Sequence, residues 1–185
     1  YILNGSSTDG SGQGTAYGIK PPMLSNVILN GPLAQPGDGI DNNNNGIVDE
    51  PNEHNLMTSF MYFNNDTSPI NGNPGGSSTG SHDDYYQYSS AYWKNGQHLT
   101  YGGDGTNTAS SPTNFMWDGV LDTAGTMGWT EITSGDTPDD RRFLIGCGPF
   151  GLNAGQMVSF DYAKVWTRDT TDYYSINNLY LKNLE

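Results

Sequence analysis

A single cysteine, Cys147, stands in the 185 residues of this chain, so no disulfide can close within it and a small disulfide-stapled scaffold is excluded. Basic residues are scarce too: 7 Lys and Arg face 20 Asp and Glu, for a net charge of −13. A surface of that sign repels phosphate backbones, which argues against nucleic acid as a partner and suits divalent cations better. Long apolar runs are missing as well. No stretch approaches the roughly 18 consecutive apolar residues of a membrane-crossing helix, so the chain is not expected to span a bilayer.

Several catalytic signatures are absent. His54, His82 and His98 form no pair at i,i+3 or i,i+4, and no second thiol exists to complete a zinc site. Cys147 lies between Gly146 and Gly148 with no histidine beside it, which reads as a buried strand thiol. No G-x-S-x-G elbow occurs, and Gly102-Gly103-Asp104-Gly105 lacks the Lys-Ser/Thr that a phosphate loop needs. His82-Asp83-Asp84 reads as the start of a helix rather than part of a hydrolase site. Glu131, Asp136, Asp139 and Asp140 cluster in sequence, but Arg141 and Arg142 follow directly, and a salt-bridged turn is the plainer account of them. A hydrolase is therefore the weakest functional expectation, and a non-enzyme the stronger one.

What is abundant favours turns and strands. Gly (25), Pro (10) and Asn (20) punctuate the chain, while Tyr (12), Trp (4) and Phe (6) suit half-buried pleated surfaces. The expected fold is mainly β, β-sandwich-like and loop-rich, with one or two short helices; α+β is the alternative. Residues 1–22 read as an extended arm or linker ending at Pro21-Pro22, and 23–185 as a single β-rich domain. Strands are expected around Val27-Ile28-Leu29, over Leu56–Phe63, over Arg142–Cys147 and over Met157–Trp166. The last two flank a turn at Asn153-Ala154-Gly155. Ser81–Asn95 reads as a helix, with Ser81 and Asp84 as a capping pair, Tyr85, Tyr88 and Tyr92 on one face, and Gly96 as its stop. A second helix is expected over Asp172–Glu185, with Ile176, Leu179, Tyr180 and Leu184 sharing a face. Starting at Tyr1 without Met or an apolar leader, the chain reads as one part of a longer protein.

One segment carries nameable chemistry. From Asp41, oxygen-bearing side chains recur at the first, third and fifth places as Asp41, Asn43 and Asn45; Gly46 is sixth, Ile47 offers a backbone carbonyl at the seventh, and Asp49 is ninth. That is the layout of a calcium loop of the EF-hand type, in which alternate residues turn inward and glycine permits a sharp bend. The twelfth place, usually a bidentate Glu, is Asn52, so Glu50 is assigned to close the shell, with Asn52, Glu53 and Asp38 as the other candidates. The predicted ligands are Asp41, Asn43, Asn45, Ile47, Asp49 and Glu50, within a loop spanning 38–53, and the predicted ion is Ca2+. Neutral Asn at two ligand places implies weak binding, about 10⁻⁴–10⁻³ M as in extracellular modules. The competing account is an Asn/Gly-rich loop held by its own side chain to backbone hydrogen bonds.

Four blocks in order, DGIDNNNNGIVDEPNE (38–53), DYYQYSSAYWKNGQHLTYGGDG (84–105), PTNFMWDG (112–119) and GWTEITSGDTPDDRRFLIGCGPFGLNAGQ (128–156), resemble a domain of large secreted Bacteroidota proteins exported by the type IX route. The resemblance runs over about two thirds of the chain, residues 38–166. It implies a secreted, cell-surface location, no enzymatic role, and work in adhesion or extracellular structure, as part of an appendage or filament. Partners would be other domains or copies of the same surface protein. The family's loop more often carries Asp where this chain has Asn43 or Asn45, and its C-terminal sorting domain is not present here. Asp122-Thr123-Ala124 resembles the short O-glycosylation signal of those bacteria. The rival function is a calcium-dependent carbohydrate-binding module stacking sugar on Trp93, Tyr101, Trp117 or Trp129.

Overall fold

The computed structural model describes residues 2–3, 23–74, 82–118, 128–135 and 141–167. Its elements in chain order are β1 (Ile2–Leu3), β2 (Met23–Asn30), β3 (Ser59–Asn64), α1 (His82–Ser89), α2 (Glu131–Ser134), β4 (Arg141–Gly146) and β5 (Asp161–Thr167). The protein is mainly β and loop-rich, with one short helix, α1, and a single helical turn, α2, among the described residues. Strands β1, β2 and β5 form one antiparallel sheet in that order, and β3 with β4 forms a second. The expected helix over 172–185, the glycosylation tripeptide at 122–124, the capping Ser81 and the carboxylates at 136, 139 and 140 lie outside the described residues.

Strand β3 organises the core. Its Met61, Tyr62 and Phe63 are all buried in succession, which an alternating half-exposed strand does not allow. Both its edges are occupied, one by β4, from Ser59 opposite Gly146 to Asn64 opposite Arg141, and the other by Phe115, which bridges to Phe60, while packed side chains cover its faces. Around it Tyr88 of α1 meets Phe63 and Trp93 edge-on, at 5.2 and 5.5 Å between ring centres, and Trp117 lies 4.5 Å from Tyr62. Met116, Leu99 and Trp129 complete the cluster, which draws no residue from β2 or β5. The two sheets instead border a groove of about 1060 Å³, lined by Ile28, Phe143, Ile145, Phe150, Phe160 and Tyr162 among others.

Two sequence expectations change. The helix expected over Ser81–Asn95 stops at Ser89, because Ala91 takes a left-handed conformation (φ 62°) and turns the chain back. Residues 92–98 then form a small hairpin: Tyr92 bridges His98, Trp93 N–H donates to Gln97 O at 2.8 Å, and Gly96 sits at φ 81°. Asn95-Gly96 is thus a hairpin turn, not a helix stop, and that dipeptide is the local signal the helix reading overlooked. Only Tyr88 of the predicted aromatic face is core; Tyr85 and Tyr92 are exposed. The second change is the start of β5, expected at Met157 and found at Asp161. The Asn153–Gln156 turn forms, with Gln156 N–H donating to Asn153 O at 3.0 Å, and the strands on either side of it pair elsewhere, β4 with β3 and β5 with β2. Residues 157–160 precede β5 without joining it. No helix among the described residues is long and apolar enough to cross a membrane.

Candidate metal centre

The segment between β2 and β3 is a surface excursion tied shut at its base. Ala34 N–H donates to Glu53 O and Asn55 N–H to Pro32 O, both at 2.8 Å, and Leu33 bridges His54 across the neck. His54 Nδ1 lies 2.6 Å from Gly31 O, adding a side-chain pin. Gly31 is required here: a Cβ on it would come within 1.9 Å of Asn55 O and 2.7 Å of Cys147 Sγ.

Inside the loop, oxygen atoms are braced by backbone donors. Asp41 accepts from Asn45 N–H (3.1 Å) and from Gly46 N–H (2.7 Å), one bond to each carboxylate oxygen. Asn43 Oδ1 accepts from Asn45 N–H at 3.0 Å, and Asn45 Oδ1 from Ile47 N–H at 2.8 Å. These bonds follow from tight turning: Asn44 (φ 56°) and Gly46 (φ 93°) both sit in left-handed conformations, which Asn and Gly tolerate best. Every braced oxygen keeps a second lone pair. Three successive side chains are therefore fixed with acceptor capacity to spare.

Glu50 meets them from the far end. Its Oε1 accepts from Asn43 Nδ2 at 2.7 Å and from Asn45 Nδ2 at 2.6 Å, so two amide donors converge on one carboxylate oxygen. Its Oε2 is buried and has no hydrogen-bond partner. A buried carboxylate oxygen left unmatched is costly, and a cation would supply the missing interaction. The two Asn amide groups stand where positive charge is wanted. No Lys or Arg occurs in residues 38–53 to provide it, although five carboxylates do.

The other predicted ligands lie differently. Both Asp49 carboxylate oxygens are 3.2 Å from Gly39 N–H, so this side chain holds the loop's entry turn. Ile47 donates its N–H to Asn45, and its place in a metal shell would rest on its carbonyl. Of the alternatives for closing the shell, Asp38 accepts from Ile40 N–H at 2.9 Å and faces Asn42 Nδ2 at 3.4 Å. Asn52 is an exposed turn residue at φ 61°. Glu53 is 6% exposed and accepts from Asn42 N–H at 2.5 Å and Asn43 N–H at 3.3 Å. Only Glu50 among these is in contact with both Asn43 and Asn45. Among the described residues no group of three or more His, Cys, Asp or Glu gathers to hold a metal. In the loop Asp41 and Glu50 are acids, whereas Asn43 and Asn45 carry amides.

Sequence reading missed the loop's inner side. Asn42 (7% exposed) and Asn55 (fully buried) are joined by Asn42 Nδ2 donating to Asn55 Oδ1 at 3.1 Å, while Asn55 Nδ2 donates to Pro32 O at 3.2 Å. The signal was available: if alternate residues face a cation, Asn42 must face the protein. Its Oδ1 is a second buried acceptor without a partner.

The remaining candidates lie away from the loop's ligand side chains. Trp93, Trp117 and Trp129 are buried, and their rings cannot stack on a sugar; Tyr101 is 42% exposed and packs on Trp129 at 5.1 Å. The Gly102–Gly105 turn receives indole donors, Trp93 Nε1 to Gly105 O at 2.8 Å and Trp129 Nε1 to Gly103 O at 2.9 Å. His82 and Asp83 are solvent-exposed at the start of α1. Cys147 lies beside the groove with its Sγ 3.6 Å from Asn55 O, and burial pushes its thiol pKa up, away from a reactive thiolate. No protein-family model, curated protein or solved structure matches this chain.

Proposed function

We propose that the chain is a non-catalytic, calcium-stabilised structural or adhesive module of a large secreted bacterial surface protein, with Ca2+ held by the loop at 38–53. The observation that carries the calcium reading is the buried, unpartnered Glu50 Oε2, whose sister oxygen receives the Asn43 and Asn45 amides, in a loop where backbone N–H groups brace the oxygens of Asp41, Asn43 and Asn45. Asp41, Asn43, Asn45 and Glu50 would contribute side-chain oxygens, and Ile47 its carbonyl, which suits a hard cation that takes six to eight oxygen ligands. The ion would clip the neck between β2 and β3, one strand from each sheet. No flanking helix pair stands ready to open, so a structural clip fits better than a switch.

The surface-protein part of the proposal is supported by the four ordered sequence blocks and by the acidic surface. Partners would then be neighbouring domains or copies of the same protein, outside the cell. Thermal melting with and without calcium tests the metal. At about 10 mM calcium a dissociation constant of about 10⁻⁴–10⁻³ M stabilises the folded state by about 1.4–2.7 kcal/mol. For a domain of this size that raises the melting temperature by roughly 3–11 °C. Asp41→Ala should abolish the rise. A parent protein indifferent to calcium and chelator would remove the metal from the proposal, and a parent that stays monomeric and non-adherent in calcium would remove the assembly role.

A further inference from the structure

We propose that Glu53 is the positioning residue of the calcium loop, setting the ligands in place without touching the ion; the inference rests on the calcium reading above. Its carboxylate is buried, and a buried charge needs compensating donors. They come from two consecutive backbone groups, Asn42 N–H and Asn43 N–H, converging on the same Oε1. Those groups belong to the peptide planes on either side of Asn42, which join it to Asp41 and to Asn43. Holding both planes fixes the orientation of the first ligand residue relative to the second, as one bond to either could not.

The same residue also steadies the closing end. Glu53 N–H donates to Glu50 O at 3.2 Å, and Glu53 O accepts from Ala34 N–H at 2.8 Å. One residue thus braces the start of the loop through its side chain, and the closing carboxylate and the neck through its backbone. The approach is from the protein side, where Asn42 is bound to Asn55, and not from the side on which Asn43 and Asn45 meet Glu50. Residues that orient ligands in this way commonly change metal affinity about 10–100-fold when altered.

Reach and charge are separable at this position. Glu53→Gln keeps the length and an oxygen acceptor for both N–H groups but loses the charge. Glu53→Asp keeps the charge but withdraws the carboxylate by one methylene, about 1.5 Å. A positioning role therefore ranks Gln above Asp, whereas a ligand role ranks Asp above Gln. Calcium titration calorimetry on the full chain, with melting in chelator to verify folding, reads the order directly. The expected result is Glu53→Gln within about threefold of the parent and Glu53→Asp weakened about tenfold or more. A loss in Glu53→Gln equal to or larger than that in Glu53→Asp makes Glu53 a ligand and overturns the inference. Parent-like affinity in both variants makes it a bystander and overturns it equally. Absence of calcium binding in the parent is a different outcome, removing the metal reading and this inference with it.

Discussion

Asn43→Asp should cost more stability in chelator than in calcium, and the size of the effect follows from one contact. Asn43 Nδ2 donates to Glu50 Oε1 at 2.7 Å. Replacing the amide with a carboxylate removes that donor and sets two negative charges against each other. At about 4 Å the repulsion is ~1 kcal/mol in water and ~4 kcal/mol at the effective dielectric near a protein surface. Both side chains are partly exposed and free to part, so the lower end applies. With the lost charge-assisted bond, about 1.5–3 kcal/mol, the penalty in chelator is about 2.5–4 kcal/mol. The variant should then melt roughly 5–16 °C below the parent.

Calcium offsets part of that cost. The added carboxylate becomes a third anionic side chain at the ion, beside Asp41 and Glu50. A tenfold tightening corresponds to about 1.4 kcal/mol, so the calcium-induced stabilisation should grow to about 2.7–4.1 kcal/mol at about 10 mM calcium. Differential scanning calorimetry in chelator and in calcium measures both halves. The reasoning fails if Asn43→Asp lowers the melting temperature by the same amount in the two conditions, because Asn43 would then face no cation.

Two further substitutions test the frame around the loop. Gly31→Ala should cost roughly 1–3 kcal/mol or more, read as a lower urea midpoint, since its Cβ would meet the Asn55 carbonyl at 1.9 Å and neither backbone can yield cheaply; a parent-like midpoint would contradict the tight neck. Tyr88→Phe removes an O–H that donates to Gly72 O at 2.6 Å and to Ile70 O at 3.2 Å, for a loss of about 1 kcal/mol at neutral pH. Burial, helped by the Asp84 and Asp66 carboxylates, pushes the Tyr88 pKa well above its ordinary value. The folded protein keeps its proton where the unfolded chain releases it, so this stability is whole below about pH 10 and drains away as pH climbs toward the folded-state value. Tyr88→Phe has no such term, and urea curves should show the gap between parent and variant narrowing above about pH 10; parallel curves would contradict the buried phenol.

Local chemistry could be read directly from the residue order. Asp41, Asn43, Asn45 and Gly46 carry their loop in their spacing, because a turn of that kind depends on which residues tolerate left-handed backbone and which offer a short oxygen-bearing side chain. The β-branched and aromatic runs at Val27–Leu29, Leu56–Phe63 and Arg142–Cys147 became β2, β3 and β4 for a similarly local reason. Their partners could not be read. The turn at Asn153-Ala154-Gly155 did not say what β4 and β5 pair with; each finds a strand far away in sequence, since sheet pairing is decided by which apolar faces meet. The Trp-rich segments gave no sign of whether their rings faced water or the core; the carbonyls of Gly103 and Gly105, waiting for indole donors, decided that.

The loop at 38–53 shows the division most sharply. Its composition alone points to a hard cation, through five carboxylates, no basic residue and the one-three-five spacing of oxygens. Which acid closes the ring is a matter of side-chain direction. Glu50 and Glu53 are three residues apart and chemically the same, but the neck bonds at Ala34 and Asn55 turn Glu53 toward the backbone N–H groups of Asn42 and Asn43. Glu50, on the opposite side, is left to meet Asn43 and Asn45. Two identical side chains acquire different work only once the chain has been folded around them.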